Sequence, residues 1–336
     1  MTRATVARRL ATGAAYGGGG VGLAGAALFA LIREEARAAR RRVDARREPD
    51  PPSGNGIYGG GRGKPIRFTV LGDSSAVGLG VERAAQTPGV LIASALAELA
   101  ERPVRLTRLA VSGAKSPQLD AQVDAALEER PDVALIMIGA NDVTSRTRPA
   151  VSVRHLGDAV RRLTAAGAEV VVGTCPDLGT IRPIRQPLRT LARRWSRQMA
   201  AAQTIAVVEA GGRTVSLGSV LGPSFATDRS LFSRDEFHPS AYGYAHAAAV
   251  ILPSVADALG VWPESADRRR GPRRRDTVRP VASAAARAAS RPGSEVQPAE
   301  VPGTDTGPWG GWALLRRRRP PELPAPDESD REPVAP

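Results

Sequence analysis

Cysteine is almost absent from this sequence of 336 residues, which contains only Cys175. One cysteine forms no internal disulfide, so the sequence excludes a small secreted fold held together by disulfide bonds. Histidine is also scarce, with three residues in total, and this disfavours a metal-dependent phosphoesterase because such centres use several histidines. Aromatic residues make up only 4% of the chain, which slightly disfavours a sugar-binding platform of stacked rings.

Most of the excess positive charge lies outside the central part of the chain. Residues 1–64 carry 12 basic and 5 acidic side chains, residues 65–262 carry 21 and 18, and residues 263–336 carry 14 and 11. A nucleic-acid-binding domain concentrates basic residues on its folded part. The central part is nearly balanced, so we expect no nucleic acid partner.

A long uncharged segment lies near the amino terminus. The 23 residues from Leu10 to Ile32 carry no charge, which is the length of one membrane span. The segment is longer than the apolar part of a typical signal peptide, and a charged sequence follows it, so we expect residues 1–32 to bind a membrane as an uncleaved anchor. The positive residues after the span favour a cytoplasmic domain, whereas Arg8-Arg9 faintly resembles a twin-arginine export signal, and the two orientations stay open.

The composition divides the remainder of the chain into three parts. Residues 33–64 begin with a charged, potentially helical stretch and continue as a Gly- and Pro-rich segment that predicts a flexible linker. Residues 65–262 are the expected folded domain. Residues 263–336 are rich in Arg and Pro and poor in large apolar residues, so we expect a disordered tail.

Short β-branched runs alternate with helical patterns in the central part. The predicted strands are Ile66–Leu71, Val104–Val111, Val133–Ile138, Glu169–Gly173 and Thr214–Leu217. The predicted helices are Val90–Ala100, Gln118–Glu129, Val153–Ala166, Leu188–Ala210 and Ala241–Leu259. This alternation is typical of right-handed crossovers and predicts an α/β fold, a three-layer α/β/α sandwich with a mainly parallel five-stranded sheet.

Polar and glycine residues follow the first three predicted strands. They are Gly72-Asp73-Ser74, then Gly113, then Gly139-Ala140-Asn141-Asp142. Ligands of parallel sheets bind beyond the carboxyl ends of the strands. The backbone N–H groups of Ser74 and Gly113 and the side-chain amide of Asn141 could therefore converge as donors to an oxyanion.

A serine hydroxyl becomes a good nucleophile only when a base accepts its proton and a third group orients that base. The sequence offers His238 as the base, and Asp235 lies three residues before it, in a loop ahead of the last helix. At this separation the carboxylate can reach one ring nitrogen while the other faces Ser74. Asp73 and Asp142 are expected to make local hydrogen bonds rather than to transfer protons.

Taken together, these blocks resemble the four sequence blocks of the SGNH/GDSL hydrolases, in the same order, between Ile66 and Gly260. The resemblance implies a flavodoxin-like SGNH fold and ester hydrolysis through an acyl-enzyme, with no metal or organic cofactor. It also implies residue roles: catalytic Ser74, His238 and Asp235, oxyanion donors Ser74, Gly113 and Asn141, and supporting motif residues Gly72, Asp73, Gly139 and Asp142. The resemblance also slightly favours an extracytoplasmic position for the catalytic domain.

Two other functions stay open at this point. A membrane-anchored scaffold could keep the fold and bind lipids or partners through its Arg-rich arms, although the intact set of site residues argues against lost catalysis. A metallophosphoesterase is less favoured for the reason given above. Simple esters, lipids and acetylated sugars all stay open as substrates, because the loops Asp177–Gln186 and Gly222–Ser233 would set the specificity.

Overall fold

The computed structural model describes residues 28–262. The predicted anchor therefore lies outside the described residues except for its last part, residues 28–32, and the tail over 263–336 lies outside them entirely. Among the residues described, no helix has the length and apolar character needed to cross a bilayer.

Six strands form one sheet in the order β1-β3-β2-β4-β5-β6. The strands are β1 Gly56–Tyr58, β2 Ile66–Gly72, β3 Val104–Arg108, β4 Val133–Met137, β5 Glu169–Gly173 and β6 Arg213–Val215. Strands β2 to β6 run parallel, and β1 pairs antiparallel with β3 at one edge. The expected mainly parallel sheet is therefore confirmed.

Nine helices surround the sheet within the described part of the chain. They are α1 (residues 28–44), α2 Ser74–Val77, α3 Pro88–Ala100, α4 Leu119–Glu129, α5 Ala140–Thr144, α6 Pro149–Ala165, α7 Leu188–Glu209, α8 Leu217–Thr227 and α9 Ala241–Leu259. Helices α3, α4, α6 and α7 connect the parallel strands β2 to β6 in chain order, as crossovers require.

The alternation of side chains along the strands produces two cores. In β4, Val133, Leu135 and Met137 pack with α3 and α9 on one face of the sheet, whereas Ala134 and Ile136 pack with α4, α6 and α7 on the other. Both faces are covered, which is why the central strand β4 is apolar at every position. The expected three-layer α/β/α sandwich is confirmed.

The predicted count of five strands was too low. Gly56–Tyr58 lies in the segment expected to be a linker, yet it pairs with Val104–Leu106 of β3. The Asn55 side chain extends this pairing by accepting a hydrogen bond from the Arg108 N–H at 2.8 Å. An edge strand needs only one hydrogen-bonded neighbour, so the Gly- and Pro-rich composition did not prevent it.

The region after β5 also differs from the prediction. The last strand ends at Val215 rather than Leu217, and α8 covers Leu217–Thr227, where a loop was expected from Gly222 onward. The helix contains two glycines and Pro223. Because glycine and proline are weak helix formers, local propensity did not predict this helix. Its packing against α9 supplies the tertiary contacts that compensate.

Candidate active site

The candidate nucleophile lies at the carboxyl end of β2, where the chain turns sharply into α2. Gly72 has a φ of 132°, and a Cβ at this position would collide with the carbonyl oxygen of Met137 in β4. Asp73 then caps α2, its carboxylate accepting a hydrogen bond from the Ser75 N–H at 2.9 Å. The turn places Ser74 at the first position of the helix, above the sheet edge.

A continuous chain of hydrogen bonds joins Ser74, His238 and Asp235. Ser74 Oγ lies 2.9 Å from His238 Nε2, and His238 Nδ1 lies 2.6 Å from Asp235 Oδ2. All three side chains are buried or nearly so, with 8%, 6% and 2% exposure respectively. The fold therefore brings together Ser74 and His238, which are 164 residues apart in the sequence.

The carboxylate of Asp235 is fixed by its own loop. Its Oδ1 accepts hydrogen bonds from Ser233 Oγ and from the backbone N–H groups of Phe237 and His238, each at 2.8 Å. Burial raises the pKa of Asp235, but the hydrogen bonds and charge of His238, helped by the Phe237 N–H, outweigh burial and hold the pKa below its ordinary value. The carboxylate is therefore ionised at neutral pH and can stabilise a positive imidazole.

Gly113 and Asn141 border the same cavity as Ser74 and His238. Gly113 adopts a φ of 84°, and no atom lies within 4 Å of where its Cβ would be, so its side of the cavity is open. The Asn141 side chain donates through Nδ2 to the carbonyl oxygen of Ala114 at 3.1 Å. This bond orients the amide and leaves its second hydrogen available.

The two motif aspartates lie behind the site and make local hydrogen bonds. Asp142 is fully buried and accepts hydrogen bonds from Ser116 N–H, Ser116 Oγ and Ser152 Oγ at 2.8 to 3.2 Å. Burial raises the pKa of Asp73 to about 6, although its hydrogen bonds from Ser75 act in the opposite direction. Neither carboxylate is hydrogen-bonded to His238.

Sequence reasoning missed two buried glutamines that hold the strand ends in place. The Gln122 side chain accepts from the Gly72 N–H at 2.7 Å and donates to the Gly72 carbonyl at 3.0 Å. Gln203 donates to the Ile138 carbonyl at 2.9 Å and accepts from the Cys175 N–H at 2.7 Å. A signal was present, because Gln122 lies on the apolar face that Leu119 and Val123 define in α4.

The site opens into a cavity of about 340 Å³, near the lower end of the range for small-molecule sites, about 300–1,000 Å³. Its apolar wall includes Leu178, Ile184, Leu188 and Trp195 from the segment after β5 and from α7. Helix α1 also lines the cavity, with small apolar residues at Ala36 and Ala39 and with Val43. Sequence reasoning did not connect this helix with the site.

The other reactive side chains are not part of this arrangement. Burial raises the pKa of the Cys175 thiol well above its ordinary value, assisted by the charges of nearby aspartates, and the residue does not line the cavity that contains Ser74. His155 lies 3.4 Å from Asp120, and His246 is exposed on α9. Across residues 28–262, no group of three or more His, Cys, Asp or Glu side chains is placed to hold a metal ion.

Comparisons with known proteins agree with the sequence blocks. A model of the GDSL-like Lipase/Acylhydrolase family matches residues 70–246. A GDSL-like esterase of Mycobacterium tuberculosis is 46% identical over 222 residues, which cover 62% of this chain and 71% of that protein.

Solved structures with lower identity are similar as well. A lipase/acylhydrolase from Enterococcus faecalis is 23% identical, covers 56% of this chain and 94% of its own, and has a TM-score of 0.43. An acetylxylan esterase from Geobacillus stearothermophilus is 18% identical, covers 59% of this chain and 95% of its own, and has a TM-score of 0.47.

Proposed function

This chain belongs to the GDSL-like lipase/acylhydrolase family and is an ester-bond hydrolase, and from that premise we propose that Ser74 is the nucleophile, His238 the general base and Asp235 the residue that orients it. The unbroken hydrogen-bond chain from Ser74 Oγ through the imidazole to Asp235, at 2.9 and 2.6 Å, carries the proposal. The ionised state of Asp235 supports it further, because a positive imidazole forms during the reaction.

In the acylation step, Ser74 Oγ attacks the ester carbonyl carbon while His238 Nε2 accepts the hydroxyl proton. The tetrahedral intermediate then collapses, the bond to the alcohol oxygen breaks, and His238 returns the proton to that oxygen. The acyl group is left on Ser74 and the alcohol departs. In deacylation, water repeats the attack with His238 as its base, and the acid leaves as Ser74 recovers its proton.

The negative charge of the tetrahedral intermediate needs preorganised donors. We assign these to the backbone N–H groups of Ser74 and Gly113 and to the Asn141 side chain. Support comes from their shared cavity and from the bond to the Ala114 carbonyl that fixes the Asn141 amide. Asp142 in α5 accepts hydrogen bonds from Ser116 and Ser152, and the bond from Ser116 ties α5, with Asn141, to the segment that contains Gly113.

The substrate class that fits the cavity is an ester with an apolar chain. Aliphatic side chains, Trp195 and Phe237 make up about half of the residues that line the cavity, and burial of a methylene contributes about 0.8 kcal/mol. An apolar chain therefore gains binding energy that a bare acetyl group does not. Acetylated sugars belong to the proposed substrates only if the sugar part binds away from the apolar side chains of the cavity.

Covalent labelling tests the proposed nucleophile. We expect a serine-reactive fluorophosphonate to label the wild-type protein and Ser75→Ala, whose lost hydroxyl is adjacent in α2, but not Ser74→Ala. Turnover of a short-chain ester should fall by several orders of magnitude in Ser74→Ala and His238→Ala. Equal labelling of folded Ser74→Ala and wild type would exclude this nucleophile, and absence of labelling in folded wild type would favour the scaffold function.

We also propose that residues 10–32 anchor the enzyme to a membrane. The support is the run of 23 uncharged residues, which ends inside the first described helix. Fractionation of cells that express the full chain should place it in the membrane fraction after an alkaline carbonate wash. Replacement of two leucines of the run by arginine should release it, and release of the unaltered chain by carbonate would contradict an integral anchor.

A further inference from the structure

A second cavity, of about 350 Å³, adjoins the one that contains Ser74. The two cavities share five lining residues. Two belong to α1, Ala36 and Arg40, and the other three are Thr144, which ends α5, and the following Ser145 and Arg146. A ligand bound at Ser74 can therefore extend along α1 without leaving the surface of the protein. Arg40 connects the two walls by donating to the Thr144 carbonyl oxygen at 2.9 Å.

Arginine dominates the lining of this second cavity. Arg33, Arg37, Arg40 and Arg146 line it, and no acidic side chain is among its lining residues in the described part of the chain. Arg37 is paired with Glu34. Arg33 and Arg146 also line the cavity and make no ion pair with any other described residue, so no described carboxylate neutralises either charge at close range.

The abundance of arginine in this chain does not by itself explain the arrangement. Two other cavities with several arginines also contain the carboxylate of Glu236, and Arg46 forms an ion pair with it at 3.3 Å. The cavity beside the active site lacks such a carboxylate. Its unpaired guanidinium groups present planar donors that fit carboxylate and phosphate oxygens.

We propose that this arginine-lined cavity binds an anionic group of the substrate, so that the preferred substrates are esters with an apolar part at the Ser74 cavity and a carboxylate or phosphate beyond it. The inference rests on the proposed function, because it takes Ser74 as the point of attack. Arg33 and Arg146 are then specificity residues, with Arg146 lining both cavities and Arg33 only the second. Their exposure makes the attraction sensitive to salt.

Matched pairs of esters test the inference in the full-length protein. A p-nitrophenyl ester of a neutral aliphatic acid is compared with p-nitrophenyl monoesters of equal chain length that end in a carboxylate or a phosphate. We expect the wild type to prefer an anionic ester in kcat/KM. In Arg33→Gln/Arg146→Gln, the ratio of anionic to neutral kcat/KM should fall about tenfold, which corresponds to about 1.4 kcal/mol.

Arg41→Gln and Arg148→Gln are the control variants. Arg41 lies in α1 and Arg148 follows α5, and both are exposed but line neither cavity. In each control, the ratio of anionic to neutral kcat/KM should therefore stay at the wild-type value. An equal fall in the controls would indicate a general surface charge effect and would overturn the inference. A wild-type ratio near one for both anionic series would overturn it as well.

A binding measurement separates this inference from the proposed function. Calorimetric titration of the full chain with hexanoate, hexyl phosphate and hexanol requires no turnover. We expect at least one anionic ligand to bind more tightly than hexanol, with the difference lost in Arg33→Gln/Arg146→Gln and at high salt. Hydrolysis of neutral esters without any such difference in binding would contradict the anion site and leave the proposed function intact. Anion binding without hydrolysis of any ester would contradict the proposed function and leave the anion site intact.

Discussion

The amide of Asn141 already donates one hydrogen bond, to the Ala114 carbonyl, before any substrate is present. Its orientation is therefore fixed in advance, which is the condition under which a donor stabilises a transition state most. We expect Asn141→Ala to lower kcat by about 10²- to 10³-fold with a much smaller change in KM. Steady-state kinetics with a thermal denaturation control measure this, and an unchanged kcat would mean that Asn141 does not contact the oxyanion.

Asp73 affects stability through its ionisation. Burial raises the pKa of Asp73 to about 6, whereas the unfolded chain should titrate near the ordinary value of about 3.9. Between these values the folded protein binds more protons than the unfolded chain, so stability falls as the pH rises, and the full penalty of about 3 kcal/mol is present above pH 6.

Asp73→Asn removes that penalty while its oxygen can still accept the Ser75 hydrogen bond. We expect the melting temperature at pH 8 to rise by several degrees, and the gain to shrink as the pH falls from about 6 to 4. Calorimetric melting curves of both proteins across this range test the prediction. A gain that is constant with pH would indicate an origin other than the ionisation of Asp73.

At the scale of elements, α1 lines part of the cavity that contains Ser74. Ala39 is buried at the wall of that cavity, and Ala39→Leu should place additional methyl groups where a substrate chain would lie. We expect the optimum chain length of p-nitrophenyl acyl esters to become shorter, with about fourfold lower kcat/KM for each methylene excluded.

The control for this prediction is Ala45→Leu, at an exposed position just after the same helix. Its chain-length profile should match that of the wild type. A parallel series of acetate esters with alcohols of increasing length distinguishes an acyl cavity from an alcohol cavity. The element assignment would fail if Ala39→Leu altered neither series.

Local patterns predicted most elements because they depend on nearby residues. Strand β5 and helix α9 have the predicted bounds, since β5 is a β-branched run that ends at Gly173 and α9 is a helical pattern that ends before Gly260. β1, α8 and the contact of α1 with the site depend on partners distant in sequence, so local periodicity did not reveal them. The hydrogen-bonded residues Ser74, His238 and Asp235 lie in short motifs that the sequence shows, whereas the pairing of Gln203 with Ile138 and Cys175 spans 65 and 28 residues.

At the scale of the whole molecule, the described domain holds its cores within itself. Both main cores consist of residues between Tyr58 and Trp262, and residues 263–336 carry 14 basic and 11 acidic side chains with few large apolar ones. We expect deletion of residues 264–336 to leave the melting temperature and the turnover of a short ester nearly unchanged. Scanning calorimetry and p-nitrophenyl acetate hydrolysis check this, and a melting temperature lower by more than about 5 °C would contradict it, since about 2–4 °C corresponds to 1 kcal/mol.

Because α1 lines the cavity that contains Ser74, its presence matters in any shortened form of this enzyme. The family match extends from residue 70 to residue 246, so it excludes α1 and ends inside α9, before the buried residues Ile251 and Val255. A protein trimmed to those bounds would keep Ser74 and His238 but would lack the α1 residues that line the cavity beside them and part of a core. Selectivity measured on such a fragment would describe a wider, less charged opening at Ser74 than the one that α1 lines in this chain.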